Sequence, residues 1–577
     1  PAGRLLTMVD PVGNTTANNY DARGNLLSST NGAGHTRNFT YDAAGNRLTA
    51  RDGAGNTTHF TSSAEGFLTS ITDPEGTTST ATNDAMGNLL TDQHTLTRQG
   101  GSLNVLWSYN YDAKGNATGI TGPVSASPVT ITWDAAGQFT GSTDPLGNRW
   151  DAQRDPLGRL IGRTVAGQPP LSVSYDAEGR ETGAALPGGG TLQRSFDAVG
   201  RAVQVTLPST GPTTQSWDAA GRLVSRTDSL GNATLFTYDA AGRRVTEERP
   251  GSAITQFGYD AAGRVTSVRD PIGNTASMTY DGANNVTSTT LPDGTTRAKT
   301  YDGNGQVLSR TDLLGQSWAY TYSPNGVLQS TRDPAGNVLT FGHDSHGNIE
   351  RIPDALGRVT TLQYDALGRV LNRTLPGGQT ATCAYDTSGR QTQCSDFAAA
   401  TTQFAYNDAT RVMDRTAPDG TVRQVFDPDN RLTRVQDGRG VTALTYDGLG
   451  RLIGWSGPDT NAVTYTHDGA GRVTSVVTNT GNTTRSYNGR GELTSVVDPS
   501  SGTMSYTRDL AGRVTSATLA NGVTVTRAYD TVGRITRITY TSPPNAVLFD
   551  LLYTRDTAGR ITSIQESTGR TVNYSYD

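Results

Sequence analysis

Phe236-Thr237-Tyr238-Asp239-Ala240-Ala241-Gly242-Arg243 is answered further along the chain by Phe257-Gly258-Tyr259-Asp260-Ala261-Ala262-Gly263-Arg264. The same Tyr-Asp-x-x-Gly string occurs at Tyr20, Asp21 and Gly24, at Tyr41, Asp42 and Gly45, and at Tyr175, Asp176 and Gly179. It returns at Tyr364, Asp365 and Gly368, at Tyr385, Asp386 and Gly389, and at Tyr529, Asp530 and Gly533. Degenerate copies such as Trp133-Asp134, Phe196-Asp197, His343-Asp344 and Arg508-Asp509 fill the places between. Most neighbouring slots are separated by the same step as Tyr238 and Tyr259. A fixed period of this length marks a repeat architecture in which each unit is one supersecondary element. Residues 1–577 are therefore expected to be a single repeat region of about 27 units, each of about 21 residues. Starting at Pro1 without an initiator Met and stopping inside a slot at Tyr576-Asp577, it reads as a segment of a longer protein.

Between slots lies a second punctuation mark, as in Asp10-Pro11-Val12-Gly13-Asn14, Asp144-Pro145-Leu146-Gly147-Asn148 and Asp270-Pro271-Ile272-Gly273-Asn274. Asp opens a turn through its side chain, Pro fixes φ at the next corner, and Gly or Asn tolerates positive φ. Each unit then has two turns and two segments of about 6 or 7 residues, the usual strand length. Large residues alternate with small or polar ones before the slot, as in Phe236/Thr237/Tyr238 and Phe257/Gly258/Tyr259. That period of two marks a strand with one apolar face. The expected fold is all-β with almost no helix, a continuous antiparallel ribbon of repeated hairpins. The slot aromatics are expected to stack along one edge, and each slot Arg to offset the repulsion between neighbouring slot Asp residues.

Composition supports a thin wall. Gly is 68 of 577 residues, and hydrophobic residues are only 34%, too few for large packed cores. About 54 strands spaced about 4.8 Å apart give a ribbon roughly 260 Å long and roughly 21 Å wide. Closed on itself, it would barely enclose a compact domain of about 100 residues, about 17 Å in radius, so an open, curved or spiral wall is expected. The net charge of -5 argues against nucleic acid and anionic lipid as principal partners. No apolar run approaches the roughly 18 residues of a membrane span.

The Tyr-Asp-x-x-Gly-Arg string, with its Asp-Pro-x-Gly-Asn companion at the same period, resembles the YD-repeat, or RHS (rearrangement hotspot), family along essentially the whole chain. The resemblance implies a long β-sheet spiralling into a hollow shell. In bacterial polymorphic toxins and insecticidal toxin complexes such a shell encloses a C-terminal toxic domain; in teneurin-like relatives it belongs to an adhesion ectodomain. The Pro-Asp-Pro-x-Gly-rich core segment that can act as an aspartyl autoprotease in bacterial members is not found in this sequence. No catalytic Asp is transferred. Nor is a variable C-terminal domain or an export domain recognised beside the repeats.

Enzymatic chemistry finds little footing. There is no Gly-x-Ser-x-Gly elbow and no phosphate loop, and no cofactor site is expected. Of six histidines only His343 and His346 are close in sequence; His343 replaces a slot Tyr, as His467 does, and His346 sits in the turn. The one-per-turn Asp residues lack the clustering of calcium loops, and no metal site is expected. Cys383 lies two residues before slot Tyr385, and Cys394 falls on the next strand, nearly opposite on one face and within bridging reach. Two intervals between slots are longer than the rest, Asn83 to Tyr111 and Tyr529 to Arg555. Their extra residues, near Arg98 to Asn104 and Thr541 to Leu548, are expected to be lengthened edge loops, where contacts often reside.

The leading functional expectation is a non-catalytic shell segment of an exported bacterial RHS toxin, secreted or at the cell surface. Its partners would be the enclosed toxin domain and neighbouring shell segments of the same protein. The alternative is a cell-surface structural or adhesion module that engages a glycan or protein receptor, with the aromatic rows as candidate sugar platforms.

The turn chemistry gives a first test. Position 242 requires positive φ, where a β-branched side chain is strongly disfavoured. Gly242→Val should destabilise its hairpin by about 1 to 3 kcal/mol, read as faster amide exchange in the strands flanking Tyr238 than in hairpins far from it.

Overall fold

The computed structural model describes residues 3–98, 101–125, 127–165, 168–187, 189–207, 210–459 and 461–576. Among these residues fifty-five strands run from Thr7–Val9 to Thr571–Asn573, and there is no helix. Each strand pairs antiparallel with its predecessor and its successor, so the chain is one long meander. Among the described residues the ladder is interrupted only at Phe341. There Val338–Thr340 pairs back to Leu328–Arg332, Gly342–His343 pairs forward to Ile349–Pro353, and the Phe341 N–H still donates to Gln329 O at 2.8 Å.

The hairpin around Tyr259 shows the unit. Gln256, Phe257 and Gly258 face Arg269, Val268 and Ser267, and Tyr259 then faces Val265 across a bulge. The turn closes with Asp260 N–H on Arg264 O at 3.0 Å and Gly263 N–H on Asp260 O at 3.1 Å, and Gly263 has φ 84°. A tight turn ending in a left-handed glycine with a bulge is a common hairpin connection. One face of the ribbon carries hydroxyl pairs across neighbouring strands, such as Thr40 with Thr49 and Thr300 with Ser309, both at 2.6 Å. The other face carries the slot aromatics and the residues two before them.

Among the described residues no filled core forms behind either face. The accessible surface is 30906 Å², against about 20,000 Å² for a compact monomer of this mass. Only Leu96, Val105, Ala253, Ala366, Ala517 and Val525 are buried apolar residues among those described. The wall is a spiral, because residues 240 to 266 apart in sequence meet edge to edge. Asn304 donates to Asp52 Oδ2 at 2.7 Å, Asn325 to Asp73 Oδ2 at 2.9 Å, and Gly211 N–H to Gly469 O at 2.9 Å. At Asn304 and Asn325 a slot turn of the later coil docks on a companion turn of the earlier one. About twelve repeats, or about 24 strands at about 4.8 Å, make one turn of the spiral, with a circumference of about 115 Å and a mid-wall radius of about 18 Å.

Both long intervals differ from the expected loops. The extra residues continue the ladder, as Leu89–Arg98 pairs with Gly101–Tyr111 and Ile535–Ser542 with Ala546–Arg555. Apolar and β-branched residues on both arms keep the strand pattern, so backbone pairing extends to the tip instead of giving way to irregular chain. Gln99 and Gly100, inside the first expected loop, lie outside the described residues. The first long hairpin leans across the seam onto the next coil. Leu96 and Val105, 0% and 2% exposed, form a small core with Ala366, flanked by Leu103, Trp107 and Val124. Thr97 O accepts from Ser345 N–H at 2.9 Å, and the Arg98 guanidinium donates to Tyr364 O.

This clamp is testable because Leu96 is the largest fully buried side chain among the described residues together with Val105. Leu96→Ala should cost about 2 to 5 kcal/mol locally, and hydrogen exchange should rise in residues 343–368 of the facing coil while distant hairpins stay unchanged.

Candidate functional site

The residues singled out in the sequence lie along one edge of the ribbon as an interlocked series. At each quoted slot the Gly has φ between 74° (Gly368) and 103° (Gly24). The Asp carboxylate secures the turn twice. Its Oδ1 accepts the backbone N–H four residues on, at 2.8 Å for Asp42, Asp176 and Asp530 and 2.9 Å for Asp239 and Asp386. Its Oδ2 accepts the side chain of that same residue: Asn25 for Asp21, Asn46 for Asp42, and an Arg Nε for Asp176, Asp239, Asp260, Asp365, Asp386 and Asp530. The Asn46 side-chain amide, followed by its backbone N–H, holds the Asp42 carboxyl below the ordinary range. At Asp218 and Asp239 the backbone N–H groups of Arg222 and Arg243 come first in lowering the pKa, and the guanidiniums add to them.

The arginine does more than neutralise its own turn. Arg243 Nη1 donates to Asp260 O at 2.7 Å in the next slot, and its guanidinium carbon sits 4.9 Å from the Tyr259 ring centre. Arg222 reaches Asp239 and Tyr238 in the same way, Arg369 reaches Asp386 and Tyr385, and Arg513 reaches Asp530 and Tyr529. The expected ring-on-ring stack of slot aromatics is therefore replaced by an alternating Tyr–Arg ladder. Slots two strands apart are about 9.6 Å from one another, beyond the range of about 4.5 to 7 Å for ring pairs, and the guanidinium fills that interval. Tyrosine rather than phenylalanine has a reason as well. The slot hydroxyl donates to a carbonyl beside the bulge of the preceding hairpin, as Tyr259 does to Arg244 O, Tyr238 to Leu223 O and Tyr364 to Ile349 O, each at 2.7 Å. The preference for Tyr over Phe in the slots was the available sequence signal for this bond.

Companion turns form the opposite edge and supply the other half of the seam. Gly53 and Gly303 approach so closely that a Cβ on Gly53 would lie 2.2 Å from Gly303 O, and one on Gly303 2.0 Å from Gly53 O. The Gly53-Ala54-Gly55 companion turn is thus a place where two coils touch. His346 meets His94 across the seam, ring edge to ring face with centroids 4.5 Å apart. Burial first, and then the neighbouring His346, push the His94 pKa down. His343 stays in its slot, opposite Ile349. Cys383 and Cys394 face each other in register and form a disulfide, with Cα atoms 4.1 Å apart.

These features coincide with known protein families. The RHS Repeat profile matches residues 20–57, 196–233, 217–254, 259–296 and 301–338, and the Teneurin YD-shell profile matches residues 335–518 and 435–547. The chain belongs to the YD-repeat, or RHS-repeat, family. No curated protein sequence matches it. Among solved structures it resembles a TcdB2–TccC3–TEV complex, with a TM-score of 0.63 at 13% identity over 96% of this chain and 41% of the other. It also resembles a Tc holotoxin pore of Photorhabdus luminescens, with a TM-score of 0.60 at 13% identity over 100% of this chain and 42% of the other. The chain thus spans less than half the length of the structures it matches. At such identity the likeness is one of fold: an antiparallel RHS shell.

The lowered Asp pKa values give a pH test. A carboxyl whose folded pKa lies below its unfolded value, about 3.9, adds stability above that value and loses it as pH falls through the folded one. The thermal midpoint should stay level from pH 7 to about 5 and drop below about pH 4. A midpoint unchanged at about pH 2.5 would contradict the turn carboxylates' role.

Proposed function

We propose that residues 1–577 form one repeat region that serves as a non-catalytic wall segment of an exported bacterial RHS-type toxin, enclosing a toxic domain encoded elsewhere in the same protein. The observation that carries this reading is a seam-closed spiral without a filled core. A wall radius of about 18 Å, less half a sheet thickness, leaves a bore about 13 Å in radius. A compact domain of about 100 residues needs about 17 Å. Chain held within this segment would therefore be elongated or incompletely folded, and other shell segments would cap the ends. The Cys383–Cys394 bridge suits an oxidising compartment, in keeping with a secreted or cell-surface location. Motif residues such as Tyr238, Asp239 and Gly242 build the wall in this reading and touch no substrate.

The Teneurin YD-shell match over residues 335–518 and 435–547 favours a second reading, a cell-surface module whose outer face meets a glycan or protein receptor. Limited proteolysis of the full-length protein separates the two. Under the toxin reading, the domain following the shell stays protected at protease levels that digest it once it is expressed alone. Prompt release of every flanking domain from the intact protein would favour the surface reading.

A further inference from the structure

Along the slot edge, Arg side chains that lie five residues after the aromatic are neutralised by the Asp of their own turn. Nε to Oδ2 is 2.7 Å for Arg201, Arg222, Arg243, Arg264 and Arg472. The turn after Tyr406 breaks the series. It reads Asn407-Asp408-Ala409-Thr410-Arg411, so the carboxylate position holds an amide. Asn407 Oδ1 caps the Thr410 N–H at 3.0 Å. Arg411 itself has φ 53°, a left-handed conformation costly for a long side chain. It keeps the usual reach to the next slot, donating to Asp427 O, but its Nη2 is buried without a hydrogen-bond partner among the described residues. The nearby acids are already engaged. Asp408 takes Arg390 at 2.6 Å and Asn148 of the facing coil at 3.2 Å, and Asp429 pairs with Arg431 at 3.3 Å.

This same turn borders a cavity of 1170 Å³ that draws residues from both coils. Arg163 and Arg411 line it together with the apolar side chains of Leu186, Val412, Met413 and Phe426. A buried guanidinium nitrogen with no acceptor is costly, and a carboxylate is the acceptor its planar fork fits best. We propose that this cavity binds an acidic peptide segment whose Asp or Glu carboxylate takes the place of the missing slot Asp against Arg411, with flanking apolar residues lying on Leu186, Met413 and Phe426. The ligand would span two coils and pin the seam where one turn lacks its own ion pair.

The test uses the intact chain and two capped peptides, acetyl-Leu-Asp-Leu-amide and its Leu-Asn-Leu counterpart, with sodium glucuronate as a third probe, by isothermal titration calorimetry at constant ionic strength. The Asp peptide should bind at least about tenfold more tightly than the Asn peptide. Asn407→Asp supplies the carboxylate internally; it should raise the ligand-free thermal midpoint and abolish the preference, and Arg411→Gln should abolish it as well. Equal binding of the two peptides, no saturation by either up to about 50 mM, or a preference that survives both variants would overturn the proposal. Saturable binding of glucuronate alone would overturn it in favour of a sugar-acid site.

Discussion

Most slot turns of this wall depend on one carboxylate that does two things at once. A slot Asp holds the hairpin closed by accepting backbone N–H groups, and it orients the side chain of the residue four places on. Where that residue is Arg, the guanidinium is aimed at the next hairpin's carbonyl and ring. Local turn closure and lateral joining therefore share a group. No single link is large: an exposed ion pair contributes about 0.2 to 1 kcal/mol and a cation–π contact about 0.5 to 1 kcal/mol. Repetition along the ribbon makes the series matter, because in a nearest-neighbour architecture each unit's stability is set by its own links and those of the two beside it.

Much of this is legible in the sequence alone, for a physical reason. Turn residues and strand alternation act over short stretches of chain, so Tyr238, Asp239 and Gly242 carry their conformations in their own neighbourhood. The partnership of Cys383 with Cys394 belongs to the same local class, since both flank one turn. The seam does not. Which companion turn Asn304 or Asn325 meets is set by the accumulated curvature of about 24 strands, and no motif records that sum. The long hairpins escaped for a related reason. The stretched interval from Asn83 to Tyr111 states that chain has been added, but whether it pairs or loops depends on the surface it can lean on, here the coil bearing Tyr364 and Ala366. Arg411 stood in plain view at its regular position, yet its significance came only from what buries its nitrogen.

The two edges of the ribbon are chemically unlike, and that difference gives the spiral its sense. One edge presents Arg, Tyr and amide side chains from slot turns; the other presents Asp, Pro and bare glycine backbone from companion turns. Edges of the same kind would set like groups against each other, whereas unlike edges allow Asn304 to reach Asp52 and Arg534 to reach Asp293, the latter at 3.0 Å. The seam contacts named above are polar. Apart from the cluster at Leu96, little apolar surface is removed from water there, so the seam draws little on the hydrophobic term that dominates ordinary domain cores.

The number of repeats per coil also bears on how such a gene can change. Tandem copies are prone to unequal crossing-over, and gain or loss of one whole unit moves every later hairpin one place along the seam. Each displaced slot turn then meets another companion turn at the same spacing along the seam. The bore keeps its width, since it follows from strand spacing and curvature, while the tube lengthens or shortens by one hairpin. Insertions that are not whole units are absorbed differently, as taller hairpins at one site, and the arms of Leu89–Arg98 and Ile535–Ser542 are the visible record of that second route.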